Sequence, residues 1–215
     1  MGSPLRLLPR ADLIQTGPVD HADWNYKFPL SWISRSRIRM VVRMLPARVG
    51  RILEIGYGSG IVLPEYAGRC DELHGIDPHP YHREVTASLR RHAVIAALVS
   101  GTAEQLPYAA GYFDRVVSVS ALEFVPDAAA ACREIARVLA PEGRFLIVTP
   151  GHSRVVDFGL KMMAGTIAKQ DYGDKRQRLL PTLFEHFRPL RRSKFPPLLG
   201  AVVPLYRAFE LTPRE

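Results

Sequence analysis

The residues best suited to chemistry are three glycines and two acids between positions 51 and 77. Gly56, Gly58 and Gly60 alternate in the stretch RILEIGYGSG, and Glu54 stands two positions before the first of them. Glycine tolerates positive φ and lets the backbone approach a ligand closely. Asp77 ends the apolar run LHGID, and a carboxylate offers two acceptor oxygens to the vicinal diol of a ribose. The pattern predicts a nucleoside pocket, although a tight structural turn and a helix N-cap are the alternatives.

The elements that would position these residues are short apolar runs that alternate with amphipathic segments. The first run, residues 52–55, is bounded by glycine, as expected of a buried parallel strand that leads into a helix. Further strands are predicted at 73–77, 94–99, 112–120 and 144–149, with two closing strands at 190–195 and 205–211. Helices are predicted at 34–45, 84–93, 127–139, 155–168 and 179–187, and a charged loop at 171–178.

The glycine spacing departs from the dinucleotide fingerprint G-x-G-x-x-G, because Ile61 stands where the third glycine belongs. The observed order E-x-G-x-G-x-G resembles motif I of the class I S-adenosylmethionine-dependent methyltransferases. Phe113-Asp114 before a Val-rich run, and the block L-x-P-x-G followed by apolar residues at 139–149, resemble the type 11 subgroup. The resemblance covers residues 50–150.

The resemblance implies an α/β fold: a Rossmann-like, seven-stranded, mostly parallel sheet with an antiparallel last strand and helices on both faces. It implies S-adenosylmethionine as cofactor, S-adenosylhomocysteine as product, and methyl transfer as the reaction. One domain is expected over residues 1–215, with N-terminal cap helices at 1–49, a cofactor-binding core at 50–150, and a substrate-side lid with closing strands at 151–215.

The same resemblance assigns cofactor-binding residues. The aminoacyl part would lie on the glycine turn, with Glu54 orienting its amine. Asp77 would hold the ribose, and the loop 102–104 the adenine. The full set is Glu54, Gly56, Tyr57, Gly58, Gly60, Asp77, Pro78, Thr102, Ala103, Glu104, Ser118 and Ser120.

Two positions depart from the family pattern. Thr102 stands where an Asp usually accepts from the adenine amino group, and Phe124 stands where many relatives carry His. Phe124 removes a proton acceptor and adds apolar surface. Candidate catalytic residues are therefore His152 and Glu123, with a surface His and a solvent-facing Glu as the alternatives. No metal site is expected.

The flanks differ from the core in charge. Of the net charge of +8, residues 1–50 carry +5, residues 51–150 carry −3 and residues 151–215 carry +6. Basic flanks suit an acidic small molecule, an anionic membrane or a nucleic acid, or are simply solvated surface. Three aromatic residues in the first flank would line a substrate cavity or pack a helix on the sheet: Trp24, Tyr26 and Trp32.

We therefore expect a methyltransferase acting on a small molecule, acidic or lipid-like in character. The alternatives are an RNA methyltransferase, for which no binding module is evident, and a non-catalytic protein that binds S-adenosylmethionine. The apolar segment 196–204 predicts either a peripheral membrane contact or packing on the sheet. No secretory signal or spanning segment is recognisable, and Cys70 and Cys132 suggest no disulfide, so a cytoplasmic location is expected.

Overall fold

The computed structural model describes residues 4–18, 20–151, 173–196 and 204–214. The strands are β1 (Val49–Ile55), β2 (Cys70–Asp77), β3 (Ala97–Ser100), β4 (Phe113–Val119), β5 (Leu139–Pro150), β6 (Phe187–Phe195) and β7 (Tyr206–Pro213). The helices are α1 (Leu30–Val42), α2 (Leu63–Ala67), α3 (His82–Arg91), α4 (Ala128–Val138) and α5 (Gly173–His186). Short 3-10 turns occupy Arg10–Asp12, Ala22–Tyr26 and Leu122–Phe124.

The seven strands form one sheet in the order β3-β2-β1-β4-β5-β7-β6. The pairs among β1 to β5 are parallel, whereas β7 runs antiparallel to both of its neighbours, β5 and β6. The predicted fold class is confirmed. Strand order reverses beside β1, so the carboxyl ends of β1, β2 and β4 open a crevice at the point where ligands bind in such sheets.

Each face of the sheet carries a hydrophobic core. On one face, α1, α2 and α3 pack on alternate strand residues such as Ile52, Val117 and Leu146. On the other face, α4 and α5 cover Leu53, Val116 and further buried residues. A sheet buried on both faces explains why its strands are nearly continuous apolar runs.

The segment before α1 is packed rather than loose. Leu8 is fully buried, and its N–H donates to the Ile61 carbonyl at 3.0 Å. The Tyr26 hydroxyl donates to the Leu8 carbonyl. Apolar burial at Leu8 therefore fixes a stretch in which the sequence shows no helical period.

Several element boundaries differ from the expectations: α1 spans Leu30–Val42 rather than 34–45, and β3 spans Ala97–Ser100 rather than 94–99. The charged loop expected at 171–178 is wrong, because α5 already begins at Gly173. The strand expected at 144–149 is longer, because β5 starts at Leu139 and includes the L-x-P-x-G block; its register with β4 is irregular between the Phe113 and Arg115 pairings. Among the described helices, none is long and apolar enough to cross a bilayer.

Candidate functional site

A cavity of about 620 Å³ opens at the carboxyl ends of β1, β2 and β4. Its walls come from two parts of the chain. The sheet wall consists of strand ends and the loops that follow them, and it contains Glu54, Gly56, Tyr57, Gly58, Asp77, Pro78, His79, Thr102, Ala103, Glu104 and Ser120. The cap wall consists of residues 16–18, residues 20–22 and α1, and it contains Thr16, Asp20, His21, Arg37 and Ile38.

The glycine turn after β1 needs glycine for two different reasons. Gly56 has φ +79°, and a Cβ there would lie 2.2 Å from the Ala121 Cβ, so the position is closed to any side chain. Gly60 has φ +72° and packs against α3, where a Cβ would approach Val85 to 2.9 Å. Gly60 is absent from the cavity lining, and the structure therefore places it beneath the turn rather than facing a ligand.

Asp77 closes the turn from the end of β2. Its Oδ2 accepts from the Gly58 N–H at 2.9 Å, and its Oδ1 accepts from the His79 N–H at 3.3 Å. A carboxylate has about four acceptor positions, so capacity remains for donors in the cavity. The acid predicted from the sequence thus both shapes the glycine turn and lines the pocket.

Glu54 lies at the floor of the cavity and is 2% exposed. Burial, and secondarily the Asp77 charge, raise the pKa of Glu54 well above its ordinary value. Its Oε2 has no hydrogen-bond partner among the described residues. A buried acid with a free oxygen is suited to a cationic or hydrogen-bond-donating ligand group.

His79 joins the turn to the loop after β2, and no sequence motif pointed to it. It is buried, its Nε2 lies 2.9 Å from the Gly58 carbonyl, and its Nδ1 accepts from the Tyr81 N–H at 3.1 Å. The second bond requires a lone pair on Nδ1, so Nε2 carries the proton that is donated to Gly58. The ring also packs edge-on against Tyr57 at 4.9 Å. His79 therefore holds the glycine turn through Nε2 and its own loop through Nδ1.

The loop 102–104 borders the same cavity. Ala103 is buried, and Glu104 accepts from the Asp127 N–H at 3.5 Å, which links the loop to the start of α4. Asp127 itself caps α4 by accepting from the Ala130 N–H at 2.9 Å. The loop is thus anchored beside the sheet, with Thr102 on the cavity side.

The cap wall is built around Asp20 and Arg37. The Asp20 carboxylate accepts from the Thr16 hydroxyl at 2.8 Å and from the Ala22 N–H at 3.1 Å, and it thereby ties these two residues together. Arg37 comes from α1, and its Nε is buried without a partner in the described part of the chain. Among the described residues, Arg37 is the only Lys or Arg in the lining.

His21 stacks on Trp24, with ring centroids 4.3 Å apart, and borders the cavity. Burial, and secondarily the Arg37 charge, lower the pKa of His21. Its imidazole is therefore neutral at pH 7 and able to accept a proton.

The end of β4 contributes Ser120, a non-glycine residue at φ +56° whose Oγ is buried and has no partner in the described structure. Such backbone conformations persist where the surroundings impose them, often at functional sites. Ser118 is fully buried within β4 and does not reach the cavity. Beyond Ser120 the wall becomes apolar, through Ala121, Phe124, Val125 and Pro126.

The structure thus assembles ten of the twelve predicted cofactor residues in one lining and leaves out Gly60 and Ser118. Glu123 is 4% exposed and also absent from the lining, so its solvent-facing alternative is wrong. His152 lies outside the described residues. The three aromatic candidates do not line the cavity: Trp24 stacks on His21, Tyr26 bonds to Leu8, and Trp32 packs against Phe195.

The family model for a methyltransferase domain matches residues 53–147. These residues match the methyltransferase domain family, in agreement with the predicted class I, type 11 resemblance. An uncharacterized methyltransferase of Mycobacterium tuberculosis is 32% identical over 151 residues, which is 70% of this chain and 59% of that protein. A phosphatidylethanolamine N-methyltransferase of Cereibacter sphaeroides is 31% identical over 129 residues, 57% of this chain and 62% of the relative. The chain thus spans about three fifths of the length of these relatives.

The same fold recurs in solved structures. The YcgJ protein of Bacillus subtilis has a TM-score of 0.61 at 17% identity, over 82% of this chain and 97% of that one. At this identity the likeness shows the fold.

The cofactor of the family is S-adenosylmethionine, and the lining residues fit it. The cofactor carries a sulfonium, an ammonium, a carboxylate, a ribose diol and an adenine. The cavity offers a buried acid with an unpartnered oxygen, an acid with spare acceptor positions, and one arginine with an unpartnered Nε: Glu54, Asp77 and Arg37. These three groups match the ammonium, the ribose diol and the carboxylate of the ligand in charge and hydrogen-bonding capacity.

Proposed function

We propose that this chain transfers the methyl group of S-adenosylmethionine to a small acceptor with a substantial apolar part. The observation that carries the proposal is that one cavity collects the glycine turn, Asp77 and the loop 102–104 at the carboxyl edge of the sheet. The apolar stretch of the lining, which includes Phe124 where relatives carry His, supports an acceptor that is not purely polar.

Each wall would hold a different part of the cofactor. Asp77 would accept from the ribose hydroxyls, the loop 102–104 would hold the adenine, and Glu54 would accept from the amine. Arg37 would bind the carboxylate, because it is the one cation of the described lining. The remaining charged side chains of the lining are acidic, and their field favours a positively charged ligand.

When bound, S-adenosylmethionine supplies a methyl group that the sulfonium already activates. The protein's contribution is then to align the acceptor and exclude water, which can account for much of the rate enhancement. A general base is needed only when the substrate that receives the methyl group must lose a proton. Both ring nitrogens of His79 are engaged, one by Gly58 and the other by Tyr81, so His21 is the imidazole of the described lining that we assign to this task.

The test is calorimetric titration of the purified protein with S-adenosylmethionine and, separately, with NAD. Wild type is expected to bind the first and not the second. Asp77→Asn should weaken binding by roughly tenfold or more, because charge-assisted hydrogen bonds contribute about 1.5–3 kcal/mol. Asp71→Asn is the matched control, since Asp71 lies on the same strand, far from the cavity, and pairs with Arg48. Equal affinities in the two variants would contradict the assignment of Asp77.

The reaction itself is tested by S-adenosylhomocysteine release with a panel of small acceptors that differ in charge and apolar content. Release with amphipathic acceptors supports the proposal. Cofactor binding without release from any acceptor would favour the non-catalytic alternative instead.

A further inference from the structure

Packing does not fix the conformation of Gly58, the middle glycine of the turn. Gly58 lines the cavity and has φ +49°. Apart from its chain neighbours, the described atom nearest to a Cβ added there is the Asp20 Oδ1, at 3.8 Å. At Gly56, by contrast, a Cβ would lie 2.2 Å from the Ala121 Cβ. A glycine with space around it has access to many backbone conformations, so other interactions must select the observed one.

The two peptide groups of Gly58 both bond to the loop that follows β2. Its N–H donates to the Asp77 Oδ2 at 2.9 Å, and its carbonyl accepts from the His79 Nε2, also at 2.9 Å. The N–H belongs to the peptide before the Cα and the carbonyl to the peptide after it. Because only φ and ψ are free between two planar peptides, the pair of bonds fixes the backbone of Gly58.

Residues 77–79 are themselves tied to the loop after β3. The Asp77 carbonyl accepts from the Gly101 N–H at 3.0 Å, and the His79 carbonyl accepts from the Ser100 hydroxyl at 2.7 Å. The His79 side chain is buried, so its hydrogen bonds are shielded from competing water. His79 therefore presents its Nε2–H to the glycine turn from a fixed backbone.

We propose that His79 is a positioning residue for the cofactor: its Nε2–H holds the Gly58 carbonyl and thereby keeps the glycine turn in the conformation that binds S-adenosylmethionine. The inference rests on the proposed function, which places the cofactor in the cavity that Gly58 lines. Without the bond, the turn spends part of its time in other conformations. The apparent affinity then falls in proportion to the fraction of molecules that remains competent to bind.

Two amide variants separate the bonds of His79. In His79→Gln, the amide nitrogen lies the same number of bonds from Cα as Nε2 does, so a donor for Gly58 is kept. In His79→Asn, the side-chain oxygen takes the place of Nδ1 and still accepts from the Tyr81 N–H, as in an Asx turn, but no donor reaches Gly58. Each variant keeps one bond and loses the other, so urea unfolding should give similar stabilities for the two.

Calorimetric titration with S-adenosylmethionine compares their affinities. His79→Gln should bind within about threefold of wild type, whereas His79→Asn should lose roughly tenfold, because a buried carbonyl is left unpaired. His82→Asn is the matched control, since His82 contacts Ser100, lies outside the described lining and should bind as wild type does when changed. Equal affinities in the two His79 variants would overturn the proposal.

Hydrogen exchange of the Gly58 amide gives a measurement without ligand. In the free protein, exchange should be as slow in His79→Gln as in wild type and roughly tenfold faster in His79→Asn, because the turn opens more often. Unchanged exchange in His79→Asn would mean that His79 does not hold the turn, whatever happens to cofactor affinity. A wild type that fails to bind S-adenosylmethionine would instead contradict the proposed function, and with it the cofactor role of His79.

Discussion

The two walls of the cavity are held in place by different means. In the sheet wall, neighbouring strand ends are joined by backbone bonds such as Gly56 N–H to the Ile76 carbonyl at 2.8 Å and Gly101 N–H to the Asp77 carbonyl at 3.0 Å. In the cap wall, Thr16 and Ala22 are held by the Asp20 carboxylate, and the segment before α1 is anchored by the buried Leu8. The sheet wall is the rigid half, suited to the invariant cofactor, and the cap wall can vary with the acceptor.

The rigidity of the sheet wall is tested most strongly by a substitution at Gly56. Gly56→Ala should destabilise the protein by about 3 kcal/mol, because an unfavourable positive φ adds to a Cβ contact with Ala121. Gly111→Ala is the control: its φ is +69° but nothing lies within 4 Å of the added Cβ, so about 1 kcal/mol is expected. Urea unfolding measures both values. Similar losses would mean that the sheet wall is less rigid than its contacts imply.

A change at His21 in the cap wall should affect turnover and leave the cofactor site intact. For an acceptor that must lose a proton, His21→Asn is expected to lower kcat by about 100-fold or more, with unchanged S-adenosylmethionine affinity. Because burial lowers the pKa of His21, the wild-type rate should be level at neutral pH and fall only below about pH 6.5. The pH–rate profile of the variant should lack that decline. A profile identical to wild type would remove His21 from the reaction.

Arg37 marks the point where the cap wall contributes to cofactor binding. Arg37→Gln should weaken S-adenosylmethionine binding by roughly tenfold or more, since a charge-assisted bond is lost. Arg39→Gln removes the same charge two residues along α1, outside the lining, and should bind as wild type does. Calorimetric titration compares the two. If both variants bind normally, the cap wall serves the acceptor alone.

Glu54 offers a pH test of the sheet wall. Because the pKa of Glu54 is raised in the folded state, the folded protein keeps a proton on Glu54 that the unfolded chain loses above about pH 4.3. The free energy of unfolding contributed by Glu54 therefore decreases as pH rises. Glu54 lowers the free energy of unfolding by up to about 1.4 kcal/mol per pH unit, until its side chain ionises in the folded protein. Glu54→Gln should remove that slope and match wild type at lower pH. If Glu54 were ionised in the folded protein, the free energies of unfolding of wild type and variant, measured with urea, would change with pH in parallel.

The smallest effect is expected where the N-terminal segment contacts α3. Asp12 bonds to Arg91 at 2.8 Å and to His92 at 2.9 Å, and these partners lower the pKa of Asp12. The stabilisation by these partners is present above the pKa that Asp12 has in the unfolded chain, and it is lost as pH falls through the pKa of Asp12 in the folded protein. Asp12→Asn should therefore lower Tm slightly at neutral pH and hardly at all in acid. A pH-independent difference would mean that packing, not the ion pairs, holds this segment.

Much of the sheet wall could be predicted from the sequence, because its determinants are local. A buried strand followed by alternating glycines specifies a tight turn, and Asp77 ends the next apolar run. The structure places both at one edge, since parallel strands bring their carboxyl ends together. The role of Gly60 was less predictable, because only the packing of α3 shows that it lies under the turn.

The cap wall could not be predicted in the same way. Asp20, His21 and Arg37 belong to no motif, and the more conspicuous Trp24, Tyr26 and Trp32 lie outside the lining. Which side chains face the cavity depends on how the segment before α1 docks, through Leu8 burial and the Asp12 contacts. His79 is similar, since its bond to the Gly58 carbonyl joins loops that are 21 residues apart in the sequence.

The sequence by itself determined the alternation of strands and helices, the glycine turn and the acid that faces it, because backbone sterics and hydrophobic period act over a few residues. The tertiary structure decided which residues of the basic flanks reach the cavity and which project into solvent. Those choices depend on packing between segments far apart in the chain, and no local pattern encodes them.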